Sequence, residues 1–515
     1  MATRPRAHWE NPMAITLREQ LLRKKPIVFQ QQHHQGEELA RNLSTFQLMM
    51  FGVGATVGTG IFFVLGEAVP KAGPAVLISF LIAGIAAGLS ALCYAELASA
   101  IPVSGSTYSY AYHALGEFVA VIIAGCVLLE YGVSTGAVAV GWSSYFNELL
   151  HETIGWQLPE ALSVSPIPVP VEGADGLITY PATGGLINLP AVVLVMLCML
   201  LLIRGASESA TVNAIMVLIK LGVLVLFTVI GFSAFNADHF ANFFAYGVGG
   251  ISAAAGTIFF SFIGLDAVAT AGEEVKNPQK ALPRAIIGAL AIVSGIYIAV
   301  AAAGLAAKPV EFFEQTQGEA GLALILKEVT GNQIWSTVLA AGAVISIFSV
   351  TLVTLYGQTR ILFAVGRDGM IPKKFLEVNP KTMTPTYNTI VVSIAVALIG
   401  GFVPADYLWD TVSIGTLMAF SVVAIGIIVL RRTHPDLERP FKVPGYPVVP
   451  ILTVLVCLYI MWGLAAITWV IFLTWIAIVL IYYFSYGRTH ATLNHYTTEE
   501  EIAEPSGRRR RDDDE

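Results

Sequence analysis

Three ionisable residues stand in the middle of long apolar runs: Lys220 in NAIMVLIKLGVLVLF, Glu130 in CVLLEYGVSTG and Asp266 in FFSFIGLD. A charge at the centre of a bilayer costs at least ~2.5 kcal/mol, so each needs a partner or a task. A buried ammonium is a candidate to release a proton, and a buried carboxylate is a candidate to receive a guanidinium or ammonium through charge-assisted bonds. Structural roles stand beside these. Lys220 could be a permanently charged strut, Glu130 an acid bonded to a neighbouring helix, and Asp266 a cap on the helix that follows Gly264. Glu96, Glu117 and Glu208 lie nearer the ends of their runs, where interfacial or capping roles are the simpler expectation.

The backbone offers a second kind of chemistry. GVGATVGTGIF carries Gly52, Gly54, Gly58 and Gly60 within nine residues. Each glycine costs about 1 kcal/mol of helix propensity relative to alanine, and taken alone the string suits close helix packing as well as unwinding. Gly264 and Asp266 interrupt a second run, FFSFIGLD, five spans later. Backbone cannot go unpaired in hydrocarbon, so helices broken at membrane depth must line a cavity or bind a polar ligand. Free N–H groups at a half-helix start suit a carboxylate, and free carbonyls at a half-helix end suit an ammonium or a cation. An α-amino acid carries both charges.

Those breaks need a membrane to sit in, and composition supplies it. The 515 residues are 55% hydrophobic and 13% charged, far from soluble-domain usage. A bilayer core needs roughly 20 apolar residues per helix. Twelve such runs are expected near 44–67, 74–98, 117–148, 186–203, 209–236, 247–271, 283–307, 333–364, 386–403, 407–430, 447–467 and 469–486. The expected organisation is an N-terminal segment 1–43, a transmembrane domain 44–487 (spans 1–5 over 44–236, 6–10 over 247–430, 11–12 over 447–486), and a disordered tail 488–515. Residues 1–43 lack a cleavable signal pattern. Net charge is −7, but its distribution matters more than its sum. Arg18, Arg23, Lys24, Lys25, Arg367, Lys373, Lys374, Arg431 and Arg432 fall on one side, against Lys71, Lys308 and Lys327 on the other. The positive-inside rule then makes both termini cytoplasmic. The cysteines Cys93, Cys126, Cys198 and Cys457 all lie inside spans without metal-ligand spacing, and packing is their expected role.

GVGATVGTGIF, KAGPAVLISF and ALCYAELASAIPVSGSTYSYAY together resemble the opening signature of the amino acid–polyamine–organocation (APC) transporter superfamily. FFSFIGLDAVATAGEEVKNPQKALPRAI resembles its sixth span and following loop, and QTRILFAVGRDGMIPKKFLEVNPKTMTP its loop between spans 8 and 9. With LEYGVSTGAVAVGWSSYF, these strings are most similar to the cationic amino acid transporter branch. The resemblance implies an all-α polytopic membrane protein with a LeuT-like five-plus-five inverted repeat and about 12 transmembrane helices. It also implies that Gly58, Thr59 and Gly60 bind the substrate carboxylate, that carbonyls of Phe260, Ser261 and Ile263 receive the α-ammonium, and that Phe260 is an aromatic gate. An ordinary packed phenylalanine is the alternative for Phe260. Lys220 resembles a lysine that takes the place of a sodium ion in related carriers. It would bridge a carbonyl of Gly54 or Ala55 to a hydroxyl of Ser346 or Ser349 and carry the coupling proton.

The expected function is secondary active transport of amino acids across the plasma membrane. Uptake of cationic and also neutral L-amino acids would be proton-coupled and proceed by alternating access, with Glu130 and Asp266 toward the substrate. Expected partners are arginine, lysine and alanine, protons, membrane lipid and a small single-span helper subunit, with no nucleic acid and no cofactor. The alternatives are a sodium-coupled or exchange carrier for neutral amino acids, and a polytopic membrane enzyme. No paired histidines, serine with a base, or P-loop supports an enzyme or a primary pump.

Overall fold

The computed structural model describes residues 16–26, 42–103, 105–168, 171–172, 178–179, 183–315, 321–404, 408–462 and 466–495. Among the described residues the chain is predominantly helical, and the strands are a two-residue antiparallel pairing of Val171–Glu172 with Ile178–Thr179. In chain order the main helices are α1 (Leu17–Leu22), α2 (Thr45–Thr56), α3 (Thr59–Ala72), α4 (Val76–Ala100), α5 (Ser106–Ala114), α6 (Glu117–Ile154), α7 (Leu189–Arg204), α8 (Ala206–Ser233) and α9 (Gly247–Phe260). They continue as α10 (Ala267–Thr270), α11 (Pro278–Ala307), α12 (Val310–Gln315), α13 (Gly321–Thr330), α14 (Gln333–Arg367), α15 (Thr386–Phe402), α16 (Trp409–Thr433), α17 (Val448–Trp462) and α18 (Ala466–Tyr482).

Among the described residues, seven helical stretches are long and apolar enough to cross a membrane: Val64–Ala100, Glu117–Ile154, Ala210–Ser233, Pro278–Ala307, Gln333–Arg367, Thr411–Thr433 and Thr468–His490. Leu189–Arg204, Gly247–Phe259, Thr386–Phe402 and Val448–Trp462 are apolar but shorter. At 1.5 Å per residue, a 16-residue helix reaches about 24 Å of a ~30 Å core. The expected first span is two helices, α2 and α3, parted at Val57–Gly58. Large apolar side chains such as Leu218, Val225, Val229, Leu455 and Ile481 lie exposed on the outer helices, a surface that lipid satisfies and water does not. The chain is an all-α-type multi-pass membrane protein.

Helix packing carries the broken helices inward. α14 lies along α6, α11 along α4, and α8 against α2, α11 and α14, while α9 rests on α3 and α4. Two sequence expectations are corrected here. Glu96 and Glu117 are buried ion-pair partners rather than interfacial or capping groups. Arg431 binds Glu96 through two nitrogens at 2.8 and 2.5 Å, and Arg23 binds Glu117 at 2.7 Å. The tail expected to be disordered from Arg488 is folded through His495, where the Thr492 amide donates to the Asp368 carbonyl at 2.8 Å. Residues 496–515 and the side chain of Glu208 lie outside the described residues.

Candidate functional site

The first break is set by backbone geometry. α2 stops at Thr56, Val57 and Gly58 leave helical φ/ψ, and α3 restarts at Thr59 with Gly58 as an N-cap that supplies no side-chain bond. The amides opening α3 are thus uncapped by any side chain. In the second break α9 ends at Phe260 and Gly264 adopts φ +110° before α10 begins. Residues other than glycine adopt that φ only with strain. The two breaks are packed back to back. A Cβ on Gly264 would lie 2.9 Å from the Ala55 carbonyl oxygen, and one on Gly60 would lie 2.7 Å from Ser261 Oγ. A Cβ on Gly58 would meet Val350 Cγ2 at 2.6 Å.

Side chains from the surrounding helices hold the carbonyls that the breaks release. Lys220, fully buried on α8, donates to the carbonyls of Gly54 at 2.9 Å and Val57 at 2.5 Å. Ser346 on α14 donates to the same Val57 carbonyl at 3.0 Å. Lys220 thus holds the expected Gly54 carbonyl but bonds neither Ser346 nor Ser349; it meets Ser346 only at the shared carbonyl of Val57, a residue that sequence reading did not single out. Two of the named alternatives are turned elsewhere. The Ala55 carbonyl packs against Gly264, and Ser349 donates to Asn213 Oδ1 at 2.6 Å while Asn213 donates to the Met50 carbonyl at 3.1 Å. Asn213 and Lys220 are seven residues apart and share one face of α8, a spacing that could have revealed the amide. Tyr297 on α11 was also missed. Its hydroxyl reaches the carbonyl of Thr56 at 2.9 Å and that of Ser261 at 3.0 Å, one at the end of each half-helix.

The carboxylates lie on the other side of the second break. Tyr131 on α6 donates to Asp266 Oδ2 at 2.5 Å. Asp266 occupies the N-cap of α10 without a side-chain capping bond, and its carboxylate is held by the Tyr131 hydroxyl. Glu130 packs against α16, where a Cβ on Gly415 would lie 3.5 Å from the Glu130 Cβ. Glu130 Oε2 and Asp266 Oδ1 are both buried with no hydrogen-bond partner. Beside Asp266 lies a small cavity lined by Ser90, Tyr94, Phe262, Leu265 and Phe420. Ser261 Oγ is buried without a partner at the Gly60 contact, and Gly60 and Ile263 keep partial exposure. The side chains of Thr59 and Phe260 lie outside the described residues.

Two apolar helices broken against each other, with a lysine, a tyrosine and a serine on the freed carbonyls, define a membrane protein built around an interior polar site. The chain belongs to the amino acid permease family, whose pattern matches residues 43–493, and so to the APC superfamily. It is similar to the methylthioribose transporter of Bacillus subtilis (strain 168), at 41% identity over 92% of this chain and 99% of that protein. It is also similar to the branched-chain amino acid permease BcaP of the same organism, at 42% identity over 89% of this chain and 95% of that protein. Cationic amino acid transporter 4, vacuolar, of Arabidopsis thaliana is 35% identical over 78% of this chain and 64% of its own length. The protein is a membrane amino acid transporter and not an enzyme.

Proposed function

We propose that the protein carries out proton-coupled uptake of L-amino acids by alternating access across the plasma membrane, with both termini cytoplasmic and arginine, lysine and alanine among its substrates. The architecture in this reading is a LeuT-like five-plus-five repeat of about twelve spans over 44–487. The observation that carries it is the Lys220 ammonium, buried on the carbonyls of Gly54 and Val57 at the first break, with Ser346 sharing the latter. A fixed cation there does what a sodium ion would otherwise do, and it can be discharged by losing a proton. The uncapped amides from Gly58 to Gly60 suit the substrate carboxylate, and the carbonyls of Phe260, Ser261 and Ile263 suit its ammonium. Tyr297 already engages Ser261, which leaves that carbonyl one lone pair. The orphaned oxygens of Glu130 and Asp266 favour a cationic side chain, and the cationic transporters of Arabidopsis thaliana carry that substrate in their names.

A second reading, in which the side chain transported is neutral, is favoured by the branched-chain permease among the relatives. Purified protein in liposomes separates the two. The test is uptake of labelled arginine, lysine, alanine and leucine under imposed pH or sodium gradients. Accumulation of arginine driven by a pH gradient supports the first reading. Leucine uptake without arginine supports the second, and dependence on sodium alone removes the role given to Lys220.

A further inference from the structure

The face of the bundle on which both described chain ends meet carries a second polar assembly, far richer in ion pairs than the site. Gln20 on α1 donates to the Arg488 carbonyl at 2.8 Å, which places the N-terminal segment 16–26 beside the C-terminal one. Beyond α1 the chain runs extended under the α5–α6 junction. The Lys25 amide donates to the Tyr112 carbonyl at 3.3 Å, and the Glu117 amide donates to the Arg23 carbonyl at 2.9 Å. Gly116, at φ +102°, gives the segment room, since a Cβ there would lie 2.8 Å from the Leu22 carbonyl. Lys25 then crosses to the end of α14, where its Nζ lies 2.5 Å from Asp368 Oδ1, both side chains being buried. Tyr108 on α5 donates to the other Asp368 oxygen at 2.8 Å. Thr492 closes the assembly from the C-terminal side by donating to the carbonyls of Asp368 and Arg367.

We propose that residues 16–26 form a strap that locks this face of the transporter by tying α14 to α5, and that the strap lets go as the solution on this face acidifies. The sensing group is His113 on α5. Its Nδ1 donates to the Lys25 carbonyl at 2.6 Å and its Nε2 is buried with no partner, so the ring is held neutral under the strap. The charged groups facing it are Lys25 from the strap and Arg367 and Asp368 from α14. Tyr108 and Tyr112 share its own helix. Burial, and then the Lys25 charge, push His113 from 6.5 down to about 4. A base with a depressed value resists protonation while the strap is docked. With the strap released, the ring faces water and takes up a proton near its ordinary value. Docking is therefore intact above pH ~6.5 and weakens as pH falls from there toward about 4. Between pH 7.5 and 5.5 the docking equilibrium drops roughly tenfold.

Hydrogen exchange on the full chain in lipid nanodiscs, corrected for the intrinsic pH dependence of exchange, reads strap opening without requiring transport. For amides 17–25 we expect opening to rise about tenfold from pH 7.5 to 5.5. His113→Asn keeps a donor for the Lys25 carbonyl without a titrating group and should remove that pH dependence. Lys25→Met should raise exchange already at pH 7.5. Wild-type protection unchanged between the two pH values overturns the proposal, and so does a folded His113→Asn protein that keeps the tenfold change. Should His113→Asn fail to fold, the wild-type comparison still decides.

Discussion

Replacing Lys220 with methionine keeps most of the side-chain bulk and removes the charge. The ammonium makes two hydrogen bonds, to the carbonyls of Gly54 and Val57. Val57 keeps its bond from Ser346 in the variant, so the Gly54 carbonyl is the group that loses its donor, at about 1–3 kcal/mol. Against that stands the relief of no longer burying a charge, at least ~2.5 kcal/mol. The terms nearly cancel, and Lys220→Met should remain folded with little change in thermal midpoint. Coupling should fare differently. A bond from a charged donor is worth roughly 1.5–3 kcal/mol and a neutral one roughly 0.5–1.5 kcal/mol. Loss of the proton therefore weakens the two bonds by about 2 kcal/mol together, or about 30-fold in any equilibrium that breaks them. Because these two bonds join the first broken helix to α8, they differ between conformations in which the two move apart. In liposomes Lys220→Met should lose pH-gradient-driven accumulation while still binding substrate. A folded Lys220→Met protein whose uptake follows an imposed pH gradient as the wild type does would refute the coupling argument and leave Lys220 as a strut.

Tyr297→Phe removes the hydroxyl shared by the Thr56 and Ser261 carbonyls and should lower stability by about 1–3 kcal/mol, read as a fall in thermal midpoint; an unchanged midpoint means that water or another donor replaces it. Glu130→Gln should weaken uptake of arginine and lysine relative to alanine by roughly 1.5–3 kcal/mol, since a charged partner is lost only to the cationic side chains. Equal losses for all three substrates would assign Glu130 to holding α6 against α16.

The broken helices were legible because glycines and a carboxylate inside apolar runs violate what a membrane helix prefers, and Lys220 stood out for the same reason. What the sequence hides is the role of residues that act through their backbone or look like ordinary packing. Val57 contributes a carbonyl, which no side-chain pattern reveals. Tyr297 reads as one more aromatic in an apolar run until its hydroxyl is seen between two half-helices. The partners of Glu96 and Glu117 come from Arg431 and Arg23, distant segments that only tertiary packing brings together. Charge near the end of a span is ambiguous between an interface and a buried pair, and the resolving information lies in another helix. The short α7, α9, α15 and α17 were placed near their observed positions, but their ends depend on loops and neighbours that hydropathy does not encode.

The glycines of the first break have two sufficient explanations, and a single substitution does not separate them. Valine at Gly60 would abolish binding if a ligand carboxylate must approach the backbone there. It would do the same if the two broken helices merely could not close, because a Cβ on Gly60 lies 2.7 Å from Ser261 Oγ, 2.9 Å from its Cβ and 3.1 Å from its Cα. Overpacking of that kind costs about 1–3 kcal/mol. A double-mutant cycle makes the distinction. Ser261→Gly removes the two nearest of those atoms, so Gly60→Ala combined with Ser261→Gly should regain most of the stability lost in Gly60→Ala alone. If packing is the whole role of Gly60, substrate affinity returns with stability, to the level of Ser261→Gly alone. If the Gly58 to Gly60 amides hold the substrate carboxylate, the added methyl still stands where the ligand approaches, and affinity stays low in a protein whose thermal midpoint has recovered. Full recovery of both would place the carboxylate site elsewhere and reduce the glycines to the contact between the two breaks.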